Sequence, residues 1–386
     1  MSPLCVTYPS ALDLTRGEVY YPLHAYVCEQ CFLVQLGRYE GQQPAFPDSP
    51  GYPIHFGPKP GMSHCDGLIA RFGLDRRSLV VEVGRSSDSH LAKFFAARNV
   101  RVIGVEPKVE KVATAKGVRT LVQCFGKRLA RELTAAGHCA DLVIANNVLT
   151  NVPDINDFVG GLKTLLKPRG VLGLEFPHLL RLITHNEFGM ICHESFSYFS
   201  LLTAIRVLEA HGLRAFDVDA TPAHGNSLRV YACRAECEAH PSEWSVAALI
   251  EEEKRAGLDS LQGYEGFSSQ VQHSKLAFME FLLIAARLGK SVAGYGATSK
   301  AATLLHYCGV GKDLVEYIVD SSPDRQGRLL PGAHIPICDP ERIGKTKPQY
   351  VVILSMSLKD EIMKRLQFIR GWGGRFVVAT PQVTTY

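Results

Sequence analysis

From Leu79 onward the chain alternates short continuous apolar runs with stretches whose apolar positions recur at helical spacing. "SLVVEVG" reads as a strand, "HLAKFFAARN" as a helix, "RVIGVEP" as a strand and "KRLARELTAAG" as a helix. "ADLVIANNV", "NDFVGGLKTLLK" and "GVLGLEFP" continue the series as strand, helix and strand. Continuous apolar strands between amphipathic helices imply a parallel sheet buried on both faces. A charged helical stretch follows in "EWSVAALIEEEKRAGLDSL" and "SKLAFMEFLLIAARLG". The alternation then restarts with "SVAGYG", "SKAATLLHYCG", "LVEYIVD", "QYVVILS", "LKDEIMKRLQFIRGWG" and "RFVVATP". The expected fold class is α/β, with two Rossmann-like doubly wound domains joined by a helical connector, after a small loop-rich N-terminal region. The expected boundaries are 1–50 for that region, 51–78 for a linker and helix, 79–235 for the first Rossmann-like domain, 236–288 for the connector and 289–386 for the second domain.

In an open parallel sheet, ligands lie beyond the carboxyl ends of the strands, where strand order reverses. That edge carries Glu82, Val83 and Gly84 after the first strand, Glu106 closing the second, and Asn146 and Asn147 closing the next. A small residue after the first strand lets a ligand approach the backbone. An acid about 20 residues further on can accept both hydroxyls of a ribose. Taken alone, Glu106 reads more readily as a solvated strand end; the combination points to a nucleoside-containing cofactor. A second glycine loop runs from Gly294 to Lys300 between a strand and a helix. Backbone N–H groups at a helix start, with Ser299 and Lys300 beside them, suit a diphosphate, and a simple tight turn is the alternative. Tyr295 either stacks on a base or is packed, and Asp320 either meets a ribose or ends its strand.

Composition narrows the partners. The 386 residues are 46% hydrophobic and 21% charged, a globular balance with material for two or three domains. The net charge of +4 comes without any block of Lys and Arg, so nucleic acid is not expected as a partner. The first residues, "MSPLCVTYPSALDL", lack a basic segment followed by an apolar run, and no stretch reaches the roughly 18 apolar residues that span a bilayer. A cytoplasmic protein with no membrane partner is expected. Eleven cysteines without regular spacing read as buried thiols, apart from Cys28 and Cys31 in "CEQC".

"ANNVLTNVPDINDFVGGLKTLLKPRGVLGLEFPHLLRLI", with "HESFSYFS", "HGLRAFDVD" and "HGNSLRVYACR", resembles the S-adenosylmethionine-dependent C-methyltransferases that act on nucleotide-linked deoxyketosugars. "GYGATSKAATLLHYCGV", "IVDSSPDRQGRLLPGAHIPI" and "DEIMKRLQFIRGWGGRFVV" are similar to that family's C-terminal domain, so the resemblance spans nearly the whole chain. It implies S-adenosylmethionine as cofactor, a nucleotide-linked keto sugar as small-molecule substrate, and a role in natural product biosynthesis. His224, in "PAHGNSLRV", stands at a family active-site histidine and is the candidate base for an α proton; its plain alternative is a turn cap. His193 and Glu194 are candidates for orienting the substrate or stabilising an enolate, or else form a structural pair. Tyr52, His178, Asn226, Arg229, Tyr295, Ser299 and Lys300 are the candidate substrate contacts.

Departures from the family cluster around one cleft. The donor loop runs Gly84-Arg85-Ser86-Ser87-Asp88-Ser89, with Asp88 where relatives close on glycine; Asp88 either crowds the cofactor or, shifted by one position, replaces the motif's acid. The family's zinc module has two Cys-x-x-Cys pairs. Here one pair remains, Cys28 and Cys31, which Cys5, His24, His64 or Cys65 would have to complete; no second paired spacing exists, so loss of zinc is expected. Cys192-His193-Glu194-Ser195 replaces the family's Tyr-His-Glu-His, and Asn151 stands where a histidine is expected. The leading reading is α-proton abstraction with methyl transfer to a keto sugar. A second is a repurposed enzyme that keeps enolisation but catalyses isomerisation, elimination or cyclisation. A non-catalytic accessory protein is the third, and the retained His193, Glu194 and His224 speak against it.

Overall fold

The computed structural model describes residues 1–5, 8–37, 62–84, 91–107, 118–219 and 226–386. The first large sheet is built from β1 (Leu79–Val83), β2 (Arg101–Glu106), β3 (Val118–Val122), β4 (Ala140–Asn146), β5 (Leu166–Pro177), β6 (Leu213–Asp219) and β7 (Ser227–Arg234). Their spatial order is β6-β7-β5-β4-β1-β2-β3. β1 to β5 pair in parallel, whereas β7 runs antiparallel to both β5 and β6. The helices on its faces include α1 (Met62–Phe72), α2 (Leu91–Ala97), α3 (Lys127–Ala135), α4 (Ile155–Leu165), α5 (Leu179–Thr184) and α6 (Leu201–Ala210).

Side chains along a strand alternate between faces, and the two cores follow that period. Val81 and Val143 join Leu129, Phe158, Leu162 and Leu201 in one cluster. Their neighbours Val80 and Leu142 join Leu68, Leu91 and Phe95 in the other. With apolar residues on both faces, a central strand reads as a continuous apolar run, and each such side chain contributes about 1.5–3 kcal/mol when buried.

Two features of this sheet depart from the alternating pattern. β3 intervenes before "KRLARELTAAG", at an edge where its mixed sequence, VRTLV, is only partly buried. The antiparallel β6–β7 edge also replaces the all-parallel expectation.

The connector's long helices follow, α7 (Trp244–Arg255) against β6 and α8 (Phe267–Arg287) against the second domain, with a single turn of helix at Gln262–Glu265 between them. That domain contains β8 (Val292–Tyr295), α9 (Ser299–Cys308), β9 (Tyr317–Val319), β10 (Ile337–Cys338), β11 (Tyr350–Ile353), α10 (Lys359–Arg365), β12 (Arg375–Val378) and β13 (Thr384–Thr385). Its sheet order is β10-β9-β8-β11-β12-β13, parallel except for β13, so strand order reverses between β8 and β11. Near the N-terminus, strands Ala25–Val27 and Val34–Leu36 form a small sheet with Ser197–Tyr198, which begins three residues after Glu194. Among the described residues no helix is long and apolar enough to cross a membrane.

Candidate active site

In the first sheet, strand order reverses between β1 and β4, and the candidate donor residues gather there. Gly84 leaves β1 with φ +73°, and its N–H donates to the Val105 carbonyl at 2.9 Å. A Cβ added at Gly84 would lie 2.5 Å from Val148 Cγ2 and 2.7 Å from Val148 Cβ, so the turn requires glycine by conformation and by space. Glu106 is buried at the end of β2, and its carbonyl holds the Gln123 N–H at 2.8 Å. Asn146 ends β4 partly exposed. Asn147 follows in the left-handed region, φ +54°, with its N–H on the Glu175 carbonyl at 2.6 Å. Glu82 is buried inside β1. A glycine at the end of β1 and a buried acid at the end of β2, both at the switch point, are residue types that fit an adenosyl cofactor. Asp88, Tyr52 and His224 lie outside the described residues.

Beside this crevice, the loop carrying His193 and Glu194 is held at both sides. Phe196 N donates to the Thr150 carbonyl at 2.7 Å, and Leu36 N donates to the Phe196 carbonyl at 3.1 Å. Glu194 is 8% exposed, and its Oε1 has no hydrogen-bond partner among the described residues. Burial pushes its carboxyl up to about 7, with Arg325 pulling in the opposite direction. Next to it, Ser195 Oγ donates to Asn151 Oδ1 at 3.3 Å, Thr150 Oγ1 donates to the same oxygen at 3.0 Å, and Asn151 Nδ2 reaches the Asn147 carbonyl at 3.4 Å. The two positions where histidines were expected are therefore in contact, as a neutral pair. Both departures are readable in sequence; their contact is not.

Several residues serve ends other than those expected. His193 Nε2 donates to the Pro22 carbonyl at 3.1 Å, and its ring meets Tyr21 edge-on. Burial lowers its pKa, and its contacts with Pro22 and Tyr21 tie the loop to the N-terminal arm. His178 is 1% exposed, with Nε2 2.6 Å from Glu253 Oε1, which leaves its ring no face for a substrate. Arg229 is committed to Glu175, 2.6 Å from Nη2 and 3.1 Å from Nε, and is 3.5 Å from Asp219. Tyr295 is packed among Val319, Ile353 and Leu366, with its hydroxyl 3.3 Å from Ser321 Oγ, so the base-stacking role does not hold.

The second glycine loop is not the phosphate cradle expected from its sequence. Gly296 N donates to the Val319 carbonyl, and Ala297 N to Asp320 Oδ2, both at 2.8 Å. Thr298 Oγ1 caps α9 by accepting from Ala301 N at 3.2 Å. A carboxylate already occupies the loop, and an added anion would meet its charge. Ser299, partly exposed, follows that cap. Lys300 and Asn226 instead line a cavity of about 400 Å³ between the two sheets, with Glu187, His185, Asp360 and Thr380. Asn226 Nδ2 donates to Glu187 Oε1 at 2.7 Å. Burial lowers the Lys300 amine while Glu187 favours its charged form.

Cys28 and Cys31 share a turn closed by Phe32 N on the Cys28 carbonyl at 2.9 Å and Cys28 N on the Leu33 carbonyl at 3.0 Å. The N–H groups of Cys31 and Gln30 lower the Cys28 thiol. No group of three or more His, Cys, Asp or Glu side chains able to hold a metal occurs among the described residues.

Comparison with known proteins covers most of the chain. Residues 62–218 match the family profile of a methyltransferase domain, 222–381 that of a C-methyltransferase C-terminal domain, and 1–46 that of a putative zinc binding domain. The C-methyltransferase NovU of Streptomyces niveus is 32% identical over 378 residues, 96% of this chain and 89% of NovU. Solved structures overlap more thinly. The 1,6-didemethyltoxoflavin-N1-methyltransferase of Burkholderia thailandensis is 14% identical, covers 46% of this chain and 80% of its own, and has a TM-score of 0.35. A SAM dependent methyltransferase from Aquifex aeolicus is 16% identical, covers 44% and 88%, and has a TM-score of 0.33. On the full-length likeness and the matched C-methyltransferase domain, the chain is an enzyme of the S-adenosylmethionine-dependent C-methyltransferase family.

Proposed function

We propose that this enzyme methylates a carbon next to the carbonyl of a nucleotide-linked keto sugar. The observation that carries the reading is the closeness of the Gly84 crevice to a buried carboxyl at Glu194, whose Oε1 has no hydrogen-bond partner among the described residues, across the Asn147–Asn151–Ser195 cluster. When bound, S-adenosylmethionine supplies an electrophilic methyl group on a sulfonium. Gly84, Glu106, Asn146 and Asn147 would hold it, the glycine through its backbone and Glu106 by accepting ribose hydroxyls. His224 takes the α proton as a neutral imidazole. Glu194 is protonated below about pH 7 and donates a hydrogen bond to the oxygen on which enolate charge develops. Lys300 and Asn226 bind a remote part of the substrate in the cavity between the sheets.

The Ser195–Asn151 pair favours one alternative, enolisation without methyl transfer, because no imidazole stands at either position. Both readings are tested together by incubating the enzyme in deuterated water with a nucleotide-linked deoxyketosugar and methyl-labelled S-adenosylmethionine. Label appearing on sugar carbon supports methylation. Deuterium entering the α position while no label transfers moves the assignment to the alternative.

A further inference from the structure

The turn after α5 carries a buried amide that links the three units around the cavity between the sheets. Asn186 is 3% exposed and stands in the left-handed region, φ +50°. Its backbone N–H donates to the Ile183 carbonyl at 3.1 Å, and the Glu187 N–H donates to the Leu182 carbonyl at 2.8 Å, the pair of bonds that ends a helix on a left-handed residue. Such a helix stop uses only the backbone, and glycine serves it best. The side chain reaches further. Asn186 Nδ2 donates to the Gln270 carbonyl at 3.0 Å and to Ser274 Oγ at 2.7 Å, both in α8. Ser274 is itself buried, and its Oγ donates to the Pro381 carbonyl at 2.8 Å, in the segment after β12. The Gln270 carbonyl can only accept, so it fixes which end of the amide faces α8. Both amide hydrogens and the hydroxyl hydrogen are committed, while Asn186 Oδ1 has no hydrogen-bond partner among the described residues. Asparagine serves here as a double donor.

The ends of this relay coincide with the cavity walls. His185 and Glu187 flank Asn186 on the side of the first domain, Thr380 and Pro381 stand on the side of the second, and all four line the cavity. Glu187 also accepts Asn226 Nδ2 at 2.7 Å, so the place of this turn sets a second lining residue. We propose that Asn186, through Ser274, is a positioning residue that holds the two walls of the substrate cavity in register across α8. Loss of either side chain leaves buried groups unpaired and unties the turn after α5 from the segment after β12. The groups facing a bound substrate then shift relative to one another, which weakens its binding before it alters the chemistry at the donor crevice. This inference rests on the proposed role of the cavity as a substrate site.

Steady-state kinetics of the full-length enzyme with a nucleotide-linked deoxyketosugar, and calorimetry with S-adenosylmethionine, test it in Asn186→Gly, Ser274→Ala, the double variant and Lys300→Met. Asn186→Gly keeps the left-handed turn and removes only the amide. The expected result is a sugar KM raised about 5-fold or more in each relay variant, with kcat and the S-adenosylmethionine Kd near the parent values. Because the two side chains act as one relay, the double variant should be no worse than the poorer single one. If Asn186→Gly does not fold by circular dichroism, Ser274→Ala, which places a strong helix former in α8, is read alone. A KM unmoved in the relay variants while Lys300→Met raises it overturns the proposal, as does a parallel loss of kcat and donor affinity, the mark of general damage. A KM unmoved in all the variants, Lys300→Met included, overturns the assignment of the cavity to substrate and this inference with it.

Discussion

Glu194 concentrates the chemistry of the candidate site in one carboxyl. Its folded pKa of about 7 lies above the ordinary value of 4.5, so between these values the folded state binds the extra proton. Stability is therefore highest below pH 4.5 as far as this group is concerned, and is lost as pH rises through 7, by on the order of 3 kcal/mol. Glu194→Gln has no such charge to bury. Its stability relative to the parent should improve from pH 5 to pH 8 in urea unfolding, and an equal difference at both pH values would refute the buried-acid assignment. In turnover, the same variant keeps an N–H donor and should lose the alkaline fall in rate, whereas Glu194→Ala should lose about 100-fold in kcat. At Gly84 the expected failure is steric. Gly84→Ala meets Val148 and a left-handed φ together, so donor affinity should drop at least about 10-fold in calorimetry while the fold survives. The requirement for glycine and the histidine losses at Asn151 and Ser195 are legible in the sequence. The use of Arg229 and His178 in internal hydrogen bonds is not, because their partners Glu175 and Glu253 lie 54 and 75 residues away.

Among the elements, α6 shows how the connector stabilises the first domain. Glu253, in α7, is fully buried and accepts Leu201 N at 2.6 Å, Leu202 N at 2.8 Å and His178 Nε2 at 2.6 Å. It satisfies the open N–H groups at the start of α6, beside a capping box made by Ser200 and Thr203, and pins the end of β5. Glu253→Ala should cost about 3–5 kcal/mol in urea unfolding, because it strands buried donors; a loss below 1 kcal/mol would show that the cap is replaceable. The central strands are readable as continuous apolar runs because both of their faces are covered. β3 escapes that reading since an edge strand such as VRTLV keeps polar positions open to solvent. The short strands Val34–Leu36 and Ser197–Tyr198 escape it too, as their pairing is a tertiary event that no local period records.

The molecule as a whole places two doubly wound sheets around a shared cavity and straps them with the N-terminal arm. Each sheet is foreseeable from its own alternation of elements, but the cavity at their junction is not, because its lining comes from segments far apart in sequence: the turns after α5, Asn226 before β7, Lys300 and Leu304 of α9, the end of β11 and the segment after β12. The second glycine loop illustrates the gap: its sequence suits a phosphate, yet Asp320, from a neighbouring strand end, takes the Ala297 N–H such a ligand would use. Lys300 and Asn226, which line the cavity, are the proposed substrate contacts. Lys300→Met should raise the KM for a nucleotide-linked keto sugar about 10-fold with the S-adenosylmethionine Kd unchanged, and a parallel loss of donor affinity would place Lys300 in the wrong site. The central claim is that the crevice between β1 and β4 holds the methyl donor. Isothermal titration of the folded enzyme with S-adenosylmethionine tests it most directly: the account predicts saturable binding of one equivalent that Gly84→Ala weakens, and a titration without heat of binding, from protein shown to be folded, would contradict it.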